Sequence, residues 1–462
     1  GFIRQIWANK FRSNWSTKLT ELYHSQRAMR AMRSAALQRG VIAILDVGTS
    51  KIGCLILKFD GTESNIDGDG VGSLAGQSGF RVIGSALTKS RGIEYGEIVS
   101  MPETERAIRT ALQSAQKLAN SRVDHAIACV SGGCPRSYGL EGGIDIKNEI
   151  VDNNDIADVL GSCGIPAYES DREVLHAQPV NFSLDHRTGL SDPRGQIGKN
   201  LSVDMHMLTI KEKTIQDLAY CIKRCDLELA GVASSSYVSA LSSLVEDEKE
   251  LGAACVDLGG GSTNISIFWK KHMIFAETIK MGGELVTRDI SMGLQVPSSA
   301  AEKIKTRNGG VVATGLDDRE MIEIASETGD WELDRRIICR SDLIGIMRPR
   351  IEEILEEARS SLGSAGFDDL PSQKIILTGG ASQVPGIDSL ASKILGQQVR
   401  LGRPMRIHRL PQAYSGPNCA GLVGLSLFAA HPQDEWWDFS PRSKNFSGQS
   451  VSRVFRWFKD NW

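Results

Sequence analysis

The sequence predicts an α/β fold of two lobes, because one kind of glycine hairpin occurs twice and a third glycine turn follows both copies. The first hairpin reads VIAILDVGTSKIGCLIL from Val41, and the second reads AACVDLGGGSTNISIFW from Ala253. Each consists of an apolar run, an aspartate, a tight turn of glycine and hydroxyl residues, and a second apolar run, which indicates two buried strands joined by a turn. The third element, KIILTGGASQVPGIDSLASKIL from Lys374, predicts a buried strand, a Gly-Gly turn and a helix.

The two hairpin turns are suited to hold a polyphosphate from both sides. Glycines let backbone N–H groups approach an anion closely, and the hydroxyl groups of the turns add further donors. The candidate phosphate-binding residues are Gly48, Thr49, Ser50 and Lys51 in the first turn and Gly259, Gly260, Gly261, Ser262 and Thr263 in the second. One such turn is a common structural feature, whereas two copies in the same strand context favour a shared anion.

An aspartate precedes each turn, Asp46 in the first hairpin and Asp257 in the second. Neither carboxylate can usefully contact phosphate, but both can hold the water shell of a bound Mg²⁺. The paired turns therefore indicate a metal–nucleotide complex as the ligand. Asp257 is also the candidate catalytic residue, because it can double as the base for a slow hydrolysis.

Composition and charge narrow the class of protein. The 462 residues are enough for two or more domains, and a formal net charge of −3 argues against a general nucleic-acid binder. The nine cysteines have no paired C-x-x-C spacing, so we expect reduced thiols rather than a zinc site or a disulfide framework. No apolar run reaches the ~20 residues that span a bilayer and no signal peptide is visible, which predicts a cytoplasmic protein.

The first 39 residues are basic, with eight Lys or Arg, a single acid, Glu21, and two interleaved tryptophans, Trp7 and Trp15. A segment of this kind either stays solvated or touches a membrane or nucleic acid. The sequence leaves these alternatives open.

The end of the chain, SVSRVFRWFKDNW, predicts a basic amphipathic helix. At about 100° per residue, one face collects Val451, Val454, Phe455, Phe458 and Trp462, and the basic residues of the segment are Arg453, Arg456 and Lys459. An aromatic apolar face on a basic helix behind a linker suits the interface of an anionic bilayer. The alternative is that this helix docks onto the body of the protein.

The order of the three glycine elements resembles that of the superfamily of actin, heat-shock chaperones and sugar kinases. The resemblance implies an actin-like two-lobed ATPase fold, with ATP and Mg²⁺ as cofactors and with Gly379, Gly380 and Ala381 against the nucleoside. It also implies that Glu302 and Lys305, in SAAEKIKTRNGG, reach the ribose and adenine. Without the flanking motifs, these two residues would be interpreted as a surface ion pair at i,i+3 spacing.

The position of an inserted block of strands identifies the family more closely. In this chain the inserted block is residues 123–208. Actin, MreB and the heat-shock chaperones place their small first-lobe subdomain elsewhere, whereas the bacterial division family FtsA carries its own at this point of the chain. Together with ERAIRTALQSAQKLA, DIADVL, LHAQPVNFSLD and GELVTRDIS, the FtsA-type insertion in the first lobe makes this chain similar to FtsA over about residues 41–430.

The FtsA resemblance implies a scaffold rather than an enzyme. Such a protein polymerises on the cytoplasmic side of the inner membrane at the division septum, and anchors the FtsZ ring by binding the FtsZ C-terminal tail. Its expected partners are that tail, further copies of itself, the anionic membrane surface and other division proteins, and no nucleic acid is expected.

Two rival functions remain. An actin-superfamily small-molecule kinase or phosphatase needs a side chain that orients the attacking hydroxyl or water. The segment AGVASSSYVSALSSLV, residues 230–245, has no acid or glutamine for this role, so we expect at most a slow ATPase. A pilus-type actin-like adaptor would share the nucleotide site, but the basic terminal helix argues against it.

The predicted domain organisation has nine segments. They are a basic N-terminal extension (1–40), a first-lobe core (41–122 and 209–247) around the inserted subdomain (123–208), a second-lobe core (248–281 and 339–430) around a second insertion for nucleoside and FtsZ-tail binding (282–338), a linker (431–449) and a membrane-targeting helix (450–462).

Overall fold

The structure is a computed structural model that describes residues 26–59, 79–163, 171–315, 317, 319–324, 336–431 and 435–439. It confirms the α/β class, with a large sheet in each of two lobes and a third sheet in an insertion. Residues 450–462, the predicted membrane-targeting helix, lie outside the described residues. Among the described helices, none combines the length and apolar character needed to cross a membrane.

The elements follow the chain in this order. The first lobe begins with α1 (26–39), β1 (Val41–Val47), β2 (Lys51–Phe59), β3 (Phe80–Lys89), β4 (Ile93–Glu94), β5 (Glu97–Ile98), α2 (Met101–Ala119) and β6 (His125–Val130). The insertion contains β7 (Arg136–Asp145), α3 (Asn153–Ser162), β8 (Arg172–Leu184), β9 (Arg187–Leu190) and β10 (Asn200–Lys211), and the first lobe resumes with α4 (Glu212–Arg224), β11 (Glu228–Ser234) and α5 (Ser235–Ser243). The second lobe contains α6 (Glu246–Leu251), β12 (Ala253–Leu258), β13 (Thr263–Trp269), β14 (His272–Ile279), α7 (Gly283–Leu294), α8 (Ser298–Asn308), β15 (Met321–Ile324), β16 (Arg336–Cys339), α9 (Arg340–Ser364), β17 (Lys374–Thr378), α10 (Ile387–Leu395), β18 (Val399–Leu401) and α11 (Ala420–Ala430).

The two lobes contain sheets of the same topology. The first sheet has the order β11-β6-β1-β2-β3 and the second has the order β18-β17-β12-β13-β14. In each, the hairpin strand before the glycine turn pairs antiparallel with its partner on one side and parallel with a later strand on the other. Residues 42–45 of β1 are fully buried, as expected for a strand covered by helices on both faces.

The insertion forms an antiparallel sheet with strand order β7-β10-β8-β9, and α3 packs against it. Asp152 caps α3 by accepting hydrogen bonds from the backbone N–H groups of Asn154 and Asp155, and Asp155 bonds back to the N–H of Asp152. The apolar side of α3 supplies Val159 and Leu160 to a core separate from the cores of the two lobes.

Parts of the predicted N-terminal extension and of the predicted linker are folded onto the body of the protein. Residues 26–39 of the predicted N-terminal extension are helical, and α1 buries Ala36 and Arg33 against the first lobe. The linker prediction for residues 431–449 is wrong for residues 435–439, because Trp437 is 5% exposed and belongs to the core of the insertion. The linker prediction depended on the polar composition of this segment. Burial of the Trp437 indole and of the hydrogen-bonded carboxylate of Glu435 nevertheless stabilises its folded position.

Candidate functional site

A cleft between the lobes holds both glycine turns. Its volume is about 1020 Å³, enough for a nucleotide-sized ligand. The predicted residues that line it are Asp46, Gly48, Thr49, Ser50, Lys51, Asp257, Gly259, Gly260, Gly261, Ser262, Glu302, Lys305, Gly379, Gly380 and Ala381. The structure therefore brings together residues that lie more than three hundred positions apart in the chain.

The two turns have the same local geometry. The N–H of Gly48 donates to the carbonyl oxygen of Lys51 at 3.1 Å, and the N–H of Gly259 donates to the carbonyl oxygen of Ser262 at 2.9 Å. The turns also pack directly on each other. A Cβ added to Gly260 would lie 2.9 Å from the Cβ of Ser50, and one added to Gly261 would lie 2.6 Å from the Oγ1 of Thr49. Glycine is thus required at positions 260 and 261 because the two lobes contact each other there. The sequence explained these glycines only by the approach of an anion.

Thr263 is the exception among the predicted phosphate-binding residues. Its side chain is fully buried, and its hydroxyl donates to the carbonyl oxygen of Met281 at 2.8 Å. The predicted hydroxyl donor to phosphate is wrong at this position, because Thr263 already begins β13 and its hydroxyl is used within the second lobe.

Two carboxyl groups, one from each lobe, lie at the base of the cleft. Burial raises the pKa of Asp257 to about 6, with the hydrogen bond from Ser239 and the charge of Lys51 opposing the rise and the charge of Asp46 adding to it. Burial also raises the pKa of Asp46, against the charge of Lys51. The ionised forms of both groups are therefore disfavoured until a cation compensates them.

Hydrogen bonds hold these two carboxyl groups in place. The Ser239 hydroxyl donates to Oδ2 of Asp257, and the thiol of Cys129 donates to Oδ1 of Asp46 at 3.2 Å. Lys51 Nζ donates to the carbonyl oxygen of Asn418. Within the described ranges, no three His, Cys, Asp or Glu side chains are arranged to bind a metal directly.

The Gly-Gly turn after β17 closes the cleft on the second-lobe side. Gly379 has φ 88°, and an added Cβ would lie 2.3 Å from Oδ1 of Asp257, so no other residue fits there. Its N–H donates to the carbonyl oxygen of Pro417 at 3.2 Å. The turn therefore presents backbone to the cleft.

Glu302 and Lys305 form the i,i+3 ion pair that the sequence offered as the alternative, with Nζ 2.7 Å from Oε2. The pair nevertheless lies in the cleft wall, since Lys305 Nζ also donates to the carbonyl oxygen of Gly283 at 3.1 Å and to Oγ1 of Thr287 at 2.7 Å. The ion pair is thus observed, and the contact of these two side chains with a ribose and an adenine stays a prediction.

Sequence reasoning missed several polar residues of the cleft. They are Ser131, Ser235, Ser239, Glu284, Thr287 and Asn418. Ser235 and Ser239 belong to α5, directly after β11, and the serine-rich start of a helix after a buried strand was the available signal. Ser235 also contacts Ser131, with the two hydroxyl oxygens 3.1 Å apart.

Contacts outside the turns hold the lobes together. Lys280 Nζ of the second lobe lies 3.1 Å from Oε1 of Glu97 in the first. Within the first lobe, the N–H of Gly96 donates to Oγ1 of Thr49 at 2.9 Å, which links the β4–β5 hairpin to the first glycine turn.

Two lobes of one topology that close over duplicated glycine turns define an actin-like protein. The solved PilM-PilN type IV pilus biogenesis complex shares this fold, with a TM-score of 0.56 and 14% identity over 84% of this chain and 98% of that one. Family models described as "Cell division protein FtsA" and "SHS2 domain inserted in FTSA" match residues 254–424 and 132–209. The chain belongs to the FtsA family of cell division proteins. FtsA of Rhizobium meliloti is 35% identical to this chain, over 84% of this chain and 87% of the relative. FtsA of Pseudomonas aeruginosa is 31% identical, over 93% of this chain and 100% of the relative.

Proposed function

We propose that this protein binds Mg·ATP in the cleft, polymerises on the inner face of the cytoplasmic membrane at the septum, and anchors the FtsZ ring there, recruiting later division proteins. The observation that carries the nucleotide part is the packing of two equivalent glycine turns above Asp46 and Asp257. Membership of the FtsA family supports the role in division.

The turns at Gly48–Lys51 and Gly259–Ser262 would bind the phosphates through backbone N–H groups and hydroxyls. Asp46 and Asp257 would hold the hydration shell of Mg²⁺, which neutralises phosphate charge when it is bound. Gly379, Gly380 and Ala381 would lie against the nucleoside, and Glu302 and Lys305 would reach the ribose and base.

ATP would serve mainly as a structural ligand. The superfamily places a water-orienting side chain in the part of the chain that corresponds to β11 and α5. Here, Ser235 and Ser239 line the cleft from this part of the chain. The Ser239 hydroxyl is already bonded to Asp257. Neither serine is a base, so ATP would close the lobes and favour polymerisation more than it would be consumed.

The FtsZ C-terminal tail would bind an apolar patch of the second insertion. Met292, Met321 and Ile337 are 72%, 62% and 56% exposed. Arg336, next to Ile337, donates from Nη2 to the carbonyl oxygen of Gln295 at the end of α7, so the β15–β16 hairpin is joined to the helix that carries Met292. Exposed apolar groups in such proximity indicate a binding surface for a peptide.

Nucleotide binding is tested with Gly260→Val. The new side chain meets Ser50 and forces the turns apart, so affinity for a fluorescent ATP analogue should fall by more than about tenfold. Gly315→Val is the matched control, because an added Cβ there contacts nothing within 4 Å. Equal affinity of the two variants and the wild type would contradict the two-turn site.

A further inference from the structure

One histidine of the insertion is bonded directly to the first lobe. His176 lies in β8 and is 1% exposed. Its Nε2 accepts a hydrogen bond from the backbone N–H of Ser234 at 3.0 Å. Because Ser234 is the last residue of β11 and the N-cap of α5, this bond joins the insertion to the start of a first-lobe helix.

The ring of His176 is held in one orientation. Nδ1 lies 3.1 Å from Oε1 of the buried Glu435. The ring centre lies 4.9 Å from that of Tyr237 and 6.2 Å from that of Phe428. A buried ring with partners on both nitrogen atoms and with neighbouring rings cannot turn without breaking these contacts. The position of Ser234 therefore depends on the position of β8.

Helix α5 connects this bond to the cleft. Ser239 lies five residues after Ser234, about 7–8 Å along the helix axis. Its side chain lines the cleft, and its hydroxyl donates to Oδ2 of Asp257. Between these positions, the fully buried ring of Tyr237 stacks on that of Phe268 in the second lobe, with ring centres 5.9 Å apart. Since a tightly packed helix transmits a displacement along its length, a shift of Ser234 moves Ser239.

The insertion is also bonded to the second lobe. The hydroxyl of Ser137 in β7 accepts a hydrogen bond from the N–H of Ala276 at 2.8 Å and donates to the carbonyl oxygen of Ala276 at 3.2 Å. Ala276 belongs to β14, the edge strand of the second-lobe sheet. Val180 of β8 is buried among apolar residues of the second lobe. The insertion thus contacts both lobes that form the cleft.

We infer that His176 is a positioning residue for the nucleotide site, and that its bond to Ser234 couples the insertion to the cleft. The inference rests on the proposed binding of Mg·ATP. The bond sets the position of α5, and through Ser239 it orients the carboxylate of Asp257, which would hold the hydration shell of Mg²⁺. Coupling between two sites is reciprocal, so Mg·ATP in the cleft also stabilises the contact between the insertion and α5.

Two substitutions of His176 separate its two hydrogen bonds. In His176→Gln, the amide oxygen replaces Nε2 and still accepts from Ser234, whereas the donor to Glu435 is lost. In His176→Asn, the amide nitrogen replaces Nδ1 and still donates to Glu435, whereas the acceptor for Ser234 is lost. Both variants lack the aromatic ring, so a comparison between them tests the bond to Ser234.

The measurement is the affinity of the full chain for a fluorescent ATP analogue, in Mg²⁺ and in EDTA. In Mg²⁺, we expect His176→Asn to bind the analogue at least about fivefold more weakly than the conservative variant His176→Gln, which is the lower end of typical coupling between sites. In EDTA the two variants should bind alike, because Asp257 acts through the metal.

Asp152→Ala is the control for general damage to the insertion, since Asp152 caps α3 within the insertion. This variant should lower the melting temperature and leave the affinity for the analogue unchanged. A purely structural role of His176 would lower the melting temperature of both His176 variants and leave their response to Mg²⁺ equal.

Amide hydrogen exchange tests the reciprocal effect on the wild-type protein, without any variant. Mg·ATP should slow exchange in the part of β8 around His176 as well as in the residues that line the cleft. Slower exchange in the cleft alone would overturn the inference.

Equal affinity of His176→Asn and His176→Gln in Mg²⁺ would also overturn it, as would an equal loss of affinity in Asp152→Ala and His176→Asn. These results would leave the proposed nucleotide site in place. Failure of the wild type to bind the analogue would instead overturn the proposed function, and the role of His176 with it.

Discussion

The carboxylate of Glu435 lies 3.1 Å from Nδ1 of His176, although 259 positions separate the two residues. Nε2 of the same ring accepts a hydrogen bond from the N–H of Ser234 at 3.0 Å, so the proton of the ring is on Nδ1 and is donated to Glu435. Ser234 directly precedes α5, which carries Ser239 to Asp257. A continuous path of bonds thus joins residues 435–439 to the cleft between the lobes.

Glu435→Ala should lower the free energy of unfolding by about 2–4 kcal/mol, because three buried donors lose their acceptor. Asp192→Ala is the control: its partner Arg194 is on the surface, with about half of each side chain exposed, and such pairs contribute at most about 1 kcal/mol. Urea unfolding followed by tryptophan fluorescence measures both, since Trp437 is in the core of the insertion. Equal losses would show that the buried acid is not a structural anchor.

The stability of the nucleotide-free protein should depend on the ionisation of Asp257. Its pKa is raised from about 3.8 to about 6, so the folded state binds the proton more tightly than the unfolded state. The resulting stabilisation is complete below about pH 4 and is lost as the pH rises through about 6, by at most about 3 kcal/mol.

Asp257→Asn removes this titration. Between pH 4 and pH 7, the unfolding free energy of the wild type should therefore fall relative to that of the variant. Mg²⁺ with nucleotide should reduce this pH-dependent difference. A difference in unfolding free energy that stays constant from pH 4 to pH 7 would show that the pKa of Asp257 is not raised by burial.

ATP turnover should be far below the typical enzyme value of about 10 s⁻¹. The reason is that Ser235 and Ser239, the cleft residues from α5, cannot accept a proton from water at neutral pH. A non-hydrolysable analogue should support filaments on anionic vesicles as well as ATP does. Phosphate release and electron microscopy measure the two quantities, with Gly260→Val as the nucleotide-free control. Several turnovers per second, or filaments that require hydrolysis, would favour the enzymatic alternative.

Met292→Lys combined with Ile337→Lys should weaken binding of a peptide with the FtsZ C-terminal sequence by more than about tenfold, because burial of each apolar side chain contributes about 1.5–3 kcal/mol. Val99→Lys with Leu118→Lys is the matched control, since these first-lobe residues are 60% and 64% exposed. Fluorescence anisotropy measures the affinity. Similar binding by the two double variants would place the tail elsewhere.

Local patterns predicted the cleft because its key parts are local. Each strand–turn–strand unit contains its aspartate and its glycines within a few residues, so Asp46 and Gly48, or Asp257 and Gly259, are positioned by one turn. The contact of Gly260 with Ser50 joins two such units and has no local signature. Thr263 was misassigned because the side-chain direction at the first residue of a strand depends on pairing that the sequence does not display.

The C-terminal segment shows a second limit of sequence reasoning. The residues from His431 to Gln449 are mostly polar, which favoured a linker. Burial of Trp437 and Glu435 depends on the insertion sheet and on His176, far away in the chain. A polar segment is not recognisable as part of a core until its distant partners are known.

The packing of residues 435–439 against the insertion also determines where the chain can be shortened. A version lacking residues 440–462 retains its insertion core if it ends after Phe439, whereas a cut at Ala430 removes Trp437 and leaves His176 and Gln178 without their buried acceptor. For a shortened protein, or for a fluorescent tag in place of residues 440–462, the junction therefore belongs after Phe439.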